Sequence, residues 1–262
     1  MTKPHQIAQE TYREAETRRD LVVLIPVHDP KEEYEGFLTQ AILSVGTQTI
    51  QPKCILLVAN HELPYLPSLE ACAKEVEIRF VQSRAVSAAD NINFGVALSG
   101  GHFTKILFQD DFLAHDKALE NSVNAISVSG AKWSVCGSRD WEENSNKFFA
   151  PTNPKYSERL DRGINTIGAP SVVTFETEFY TPLDARLHYM FDCDWYLSMA
   201  HNFGRPVELS DIAVTIRRHP GQATSWAKQL LKQEKVIVKA NHRKTRLLSS
   251  RLSGNCSCSQ HL

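Results

Sequence analysis

From residue 21 to residue 108 the chain alternates short, continuous apolar runs with longer stretches of helical spacing. LVVLIPV (21–27), CILLVA (54–59), EIRFV (77–81) and TKILF (104–108) are short, rich in β-branched residues and read as strands. Between them lie FLTQAILSVGTQ (37–48), PSLEACAKEV (67–76) and AADNINFGVALSG (88–100), which read as helices, the last closed by glycines. The order βαβαβαβ predicts an α/β fold with a largely parallel sheet and helices on both faces. HDKALENSVNAI (115–126) continues the alternation as a helix. KWSVCGS (132–138), SVVTF (171–175) and IAVTIRRH (212–219) are later strands, and DCDWYLSMAHNFG (192–204) is a helix ending at Gly204.

The remaining bounds are broad. A chain of 262 residues forms one large domain or two small ones and buries a substantial core. Lysine plus arginine number 29 and aspartate plus glutamate 30, a balance that does not suit a nucleic-acid binder. Charge is concentrated at the C-terminal end, where eight basic residues from Lys228 to Arg251 stand against Glu234 alone. This divides the chain into a polar N-terminal extension (1–20), one α/β domain (21–222) and a basic helix with a tail (223–262). No apolar run is long enough to span a bilayer, and the first twenty residues lack an apolar signal core. The six cysteines include no C-x-x-C pair, and the Cys256–Cys258 C-x-C lies in what reads as a loose tail. These features predict a cytoplasmic protein.

KILFQDDFLAHD (105–116) brings a strand to its end and places Asp110 and Asp111 there, side by side. Open α/β sheets bind ligands at the carboxyl ends of their strands. Adjacent carboxylates repel, and a cation offsets that repulsion. Mg²⁺ and Mn²⁺ take oxygen ligands, often a carboxylate or two plus phosphate oxygens of a substrate. From the pair alone, a solvated loop or a cap of the next helix is the simpler reading. The strand-end position and the motifs below favour a metal bridging to a diphosphate.

Five segments, in order, resemble the GT-A-fold glycosyltransferases of family 2, inverting enzymes that use nucleotide-sugars. LVVLIPVHDP resembles the family's opening strand, and LTQAILSVGTQT its L-x-x-a-I-x-S-[VL]-x-x-Q-T helix. SAADNINFGVALSGGHFTKILFQDD resembles the stretch that runs through Asn93 and Gly95 to the metal motif. DCDWYLSMAHNFG resembles the helix that carries the catalytic base, and IRRHPGQATS the R-x-H segment near the domain's end. The match covers roughly residues 20 to 220. The chain departs from the pattern with Asn60 and Glu62 after the second strand, Gln109 at the first acidic metal position, and Phe191 and Ser198 on the base helix.

The resemblance implies roles. Asp111 would hold Mn²⁺ or Mg²⁺, with His219 as a further ligand or phosphate contact. Pro26, His28, Asp29, Asn60, Asp90, Asn93 and Asp110 would border the nucleotide-sugar. Asp192 would deprotonate the acceptor hydroxyl, with Asp194 as the other candidate base. The partners implied are a nucleoside-diphosphate sugar and a glycan or lipid-linked acceptor, in cell-surface polysaccharide or glycolipid synthesis.

Other readings stay open. A GT-A-like domain that binds a nucleotide-sugar without turnover accommodates Asn60, Gln109 and Phe191. A nucleotidyltransferase is disfavoured, because PVHDPKEEYEG is acidic where a basic, glycine-rich phosphate loop is expected. Residues 138–168 read as one long irregular loop toward the acceptor, with Trp141, Phe148 and Phe149 either stacking on a sugar or packing. Trp195 and Tyr196 read as core. The C-terminal helix is either packed with a solvated basic face or laid peripherally on the anionic inner face of a membrane.

Overall fold

β1 (Leu21–Val27) is buried at all seven positions, and β2 (Cys54–Ala59) beside it at all six. Strands buried on both faces are continuous in hydrophobicity rather than alternating, which explains the two runs. In the computed structural model the chain is described over residues 20–28, 34–73 and 76–253, without the side chains of 223–224 and 244–253. Asp29, the extension over 1–19 and the Cys256–Cys258 pair lie outside the described residues.

β3 (Ile78–Gln82) and β4 (Phe103–Ile106) complete a parallel half-sheet in the order β3-β2-β1-β4. The crossovers are α1 (Glu35–Gly46), α2 (Leu66–Cys72) and α3 (Ala88–Ser99). Helix α3 lies on β1 and β2. It approaches closely because Gly95 lacks a side chain: a Cβ there would sit 2.3 Å from Leu24 Cδ1. Ser87 caps α3, accepting from Asp90 N.

The second half adds β5 (Phe112–Leu113), α4 (Ala118–Ser129), β6 (Trp133–Glu142), β7 (Lys147–Phe148) and β8 (Val173–Glu176). It ends with α5 (Phe191–Phe203), β9 (Val207–Arg218), α6 (Ala223–Ala227) and α7 (Leu231–Ser253). The sheet continues from β4 as β8-β6-β9-β5, with β8 antiparallel to both of its neighbours and β6 parallel to β9. The parallel character is therefore concentrated in the first half.

Three sequence expectations shift. Residues 138–168 are not one irregular loop. They begin with the end of β6, turn back through Asn146 (φ 47°) into β7, bridge Ser138 to Thr152 and form a 3-10 turn at Glu158–Arg162. The aromatic residues drive this pairing, since Trp141 stacks on Phe148 with centroids 6.1 Å apart. Helix α4 starts at Ala118 rather than 115, because His115 is held by Asp211 across a 3.0 Å contact. The strand expected at 171 begins at Val173, after a 3-10 turn at Pro170–Val172.

Helix α7 packs on α5. Val238 and Glu234 point inward, while Lys232, Val236 and Lys239 are exposed. Among the described residues no helix is long and apolar enough to cross a membrane.

Candidate active site

The strand order reverses between β1 and β4, because the chain builds outward to β3 and then crosses back. Such a switch point leaves a crevice at the carboxyl ends of the two strands. Its floor is tied by one side chain: Gln109 Oε1 accepts from His28 N at 2.7 Å. The pairing of Val27 with Ala59 sets Asn60, exposed, beside His28. Pro26 is a buried residue of β1 behind them. Asn91 braces the same edge, donating to Val27 O at 3.4 Å and accepting from Ser83 Oγ at 2.6 Å. Asn91 was not singled out in the sequence, where only its place in the AADNINFG stretch marked it.

Two expected binding residues are engaged elsewhere in the fold. Asp90 Oδ2 accepts from Ser87 Oγ at 2.9 Å within the cap of α3. Asn93 clamps the segment before α5, accepting from Leu183 N at 2.8 Å and donating to Leu183 O at 2.9 Å.

The two adjacent aspartates have different surroundings. Asp110 Oδ2 lies 2.9 Å from His219 Nε2. The His219 ring rests against Phe37 and Tyr34, with centroids 5.2 and 5.6 Å away. Asp111 is 2% exposed; Ser171 Oγ donates to its Oδ2 at 2.5 Å and Arg217 N to its Oδ1 at 3.3 Å. Burial first, then the charge of Asp110, pushes the Asp111 carboxyl well above the usual carboxylate range. Ser171 Oγ also accepts from Phe108 N at 2.9 Å, so it fixes the turn that presents both aspartates.

Arg217, 1% exposed, is a buried basic residue of this region. Its Nε donates to Asp110 O at 3.2 Å, and Gln40 Oε1 accepts from its Nη2. Its Nη1 is 2.7 Å from Glu143 Oε2, an ion pair too bent to be a hydrogen bond. Phe37 and Trp141 take the guanidinium on their faces at 4.1 and 5.0 Å. Trp141 thus packs against a cation of the fold. Among the described residues no three or more His, Cys, Asp or Glu side chains are grouped to hold a metal ion.

Asp192 stands in the first turn of α5. Its Oδ2 accepts from Asn165 Nδ2 at 2.7 Å and its Oδ1 from Cys193 N at 2.6 Å. Burial raises its pKa to about 6, against the opposing pull of those two hydrogen bonds. Asn165 Oδ1 accepts from Ile167 N and Gly168 N, both at 2.9 Å, which makes residues 165–168 a closed turn. One short segment therefore holds Asp192 through Asn165 and Asp111 through Ser171.

Asp194 faces another way, toward α7. It meets His242 Nε2 at 2.9 Å and accepts from Asn241 Nδ2 at 3.0 Å. Helix α7 also supplies Glu234, whose carboxylate accepts from His188 N, Tyr189 N and Met190 N at 2.8, 3.0 and 2.8 Å, immediately before α5 begins. Trp195 and Tyr196 are core residues. Asn165 and Ser171 were not picked out in the sequence, Arg217 appeared only within the R-x-H segment and Glu234 only as the lone acid of its run; each acts across a long chain separation.

No protein-family model and no curated protein matches the chain. Solved structures do. S. aureus TarS 1–349 in complex with UDP-GlcNAc is 12% identical at a TM-score of 0.62, over 79% of this chain and 61% of that one. The same protein in complex with UDP is 13% identical at a TM-score of 0.60, over 76% of this chain and 61% of that one. The mannosyltransferase PcManGT from Pyrobaculum calidifontis, in complex with GDP-Man and Mn²⁺, is 12% identical at a TM-score of 0.56, over 97% of this chain and 84% of that one. The chain thus spans about 61% of the length of the TarS 1–349 chains it matches. At such identities the likeness is one of fold, and the fold is that of the GT-A glycosyltransferases.

Proposed function

We propose that the chain transfers a sugar from a nucleoside-diphosphate sugar to a hydroxyl acceptor with inversion, in the manner of the family 2 enzymes. The observation that supports this reading is the 165–171 segment, which holds Asp192, a half-buried carboxylate with a pKa of about 6, through Asn165 and the strand-tip Asp111 through Ser171. The neighbours bound to UDP-GlcNAc and to GDP-Man with Mn²⁺ support it.

In this reading His28, Asn60 and Gln109 border the nucleotide. Asp110 and His219 are the ligands presented to a divalent ion, and a carboxylate with an imidazole suits Mn²⁺ better than Mg²⁺. Asp111 stands behind them, with Ser171 Oγ donating to its Oδ2 and Arg217 N to its Oδ1, and its remaining lone pairs make it a further ligand. When bound, the metal offsets charge on the leaving diphosphate. Asp192 takes the acceptor proton as the hydroxyl oxygen attacks the anomeric carbon opposite the leaving group. A single displacement inverts the configuration, whereas a retaining double displacement uses a carboxylate nucleophile. The acceptor in this proposal is a glycan or a lipid-linked sugar, and the exposed basic residues of α7 suit an anionic membrane surface carrying it.

The test is a screen of nucleotide-sugar donors for released nucleoside diphosphate, with glycan and lipid-linked acceptors, in Mn²⁺ and in EDTA. Acceptor-dependent release in Mn²⁺ is the expected result. Donor binding with no release from any donor would establish the binding-module reading instead.

A further inference from the structure

Where α5 meets α7 the surface forms an open cleft of about 380 Å³, bordered by Asp184, Asp194, His201, Asn241 and His242. It lies on a different face of α5 from Asp192, since two residues along a helix turn the side chain by roughly 200°. Asp194 is 4% exposed and His242 5%. His242 Nε2 sits 2.9 Å from Asp194 Oδ1, and Nδ1 of the same ring sits 3.3 Å from Nδ1 of His201. Asn241 fixes the carboxylates, donating to Asp194 Oδ1 and Asp184 Oδ2 at 3.0 Å each.

A carboxylate only accepts, so the His242 Nε2–H donates to Asp194 and leaves a lone pair on Nδ1 in the neutral ring. That lone pair is directed at the His201 side of the cleft. Ligand nitrogens roughly 2.0–2.1 Å from a tetrahedral metal are about 3.3 Å from each other, which is the spacing of these two atoms. A carboxylate on the far nitrogen is also the arrangement that orients metal-binding histidines.

We propose that His201 and His242 form a two-imidazole site for a transition metal of the Zn²⁺ class, oriented by Asp194. The cleft leaves the remaining coordination positions to water or a small ligand. Imidazole donors favour Zn²⁺, Co²⁺, Ni²⁺ or Cu²⁺ over Mg²⁺, so this site differs in preference from an oxygen-rich diphosphate site. A metal there would join α7 to α5 at one end of their contact, as Glu234 joins them at the other. The proposal does not depend on glycosyl transfer.

The experiment uses the full chain, stripped with a chelator and titrated with Co²⁺, with Zn²⁺ as competitor. The expected result is one equivalent with the intense visible bands of tetrahedral Co²⁺, separate from any metal taken up at Asp110 and His219, with no thiolate-to-metal band and with displacement by Zn²⁺. His201→Ala abolishes the bands, Asp194→Asn weakens binding about 10–100-fold, and Asp110→Ala leaves it unchanged. His201 is only part-buried, so its variant carries the test if His242→Ala fails to fold. Absence of bands at one equivalent, or bands that survive His201→Ala, overturns the site. A thiolate band removed by Cys256→Ser also overturns it, by placing the metal on the tail.

Discussion

A carboxyl that titrates near pH 6 is largely ionised at neutrality and basic enough to accept a proton from a hydroxyl in the transition state. Asp192 meets that condition because its burial outweighs its two hydrogen bonds. Transfer should therefore rise with pH through about 6. Asn165→Ala removes a hydrogen bond from the charged form, so the midpoint in a pH profile of kcat/KM should move upward. An unmoved midpoint would separate Asn165 from the base. Asp192→Asn should lower transfer ~10²–10⁴-fold with donor affinity intact. Its effect on stability is a balance. The amide relieves a half-buried charge but turns a donor toward either Asn165 Nδ2 or Cys193 N. The folded protein binds the Asp192 proton more tightly than the unfolded chain, so the ionising carboxyl destabilises the fold as pH rises from 3.8 through about 6. Urea unfolding across that range should show a shallower fall in the Asn variant. Asp192 and the Asp110–Asp111 pair were legible in the sequence because motif spacing marked them. Asn165 and Ser171 were not, since their partners lie 27 and 60 residues away.

Helix α5 is held from outside by α7. Glu234 supplies the acceptors for three backbone N–H groups, those of His188, Tyr189 and Met190, in the turn that leads into α5. Glu234→Ala strands those groups and should destabilise the fold by roughly 2–4 kcal/mol, with Glu234→Gln milder. Thermal and urea melts check this, and an unchanged melting point would show that the N–H groups find water instead. Because the capped turn directly precedes Asp192, kcat should fall more than donor affinity. The sequence of α7, with apolar residues among lysines, favoured a packed helix with a solvated basic face over a surface-lying one, and the packing on α5 agrees. Which residue faced inward rested on the one acid in the run, and a lone glutamate carries no periodic signal.

The whole molecule brings β1 and β4 together at a switch point, and the charge collected there should be read by a nucleotide. Calorimetry with a nucleoside diphosphate should show tighter binding in Mn²⁺ than in EDTA, a difference that Asp110→Ala removes. Equal affinity in both conditions would count against a metal at this edge. The parallel half-sheet was legible because each crossover is local and each strand is buried along its length. The later half was legible in its strands and helix but not in their order, because the position of β8 depends on pairing with strands far earlier and later in the chain, and four residues hold no record of that choice.

That late strand also orders events at the ribosome. β1 through β4 can pair as soon as they emerge, yet the outer edge of β4 has no partner until Glu176 has been made. For that interval a nascent chain carries a buried-type apolar strand as an open edge, the kind of surface that templates association between chains. Synthesis paused between β4 and β8 should then leave a species that binds holdase chaperones, and release of β8 from the exit tunnel should end that binding.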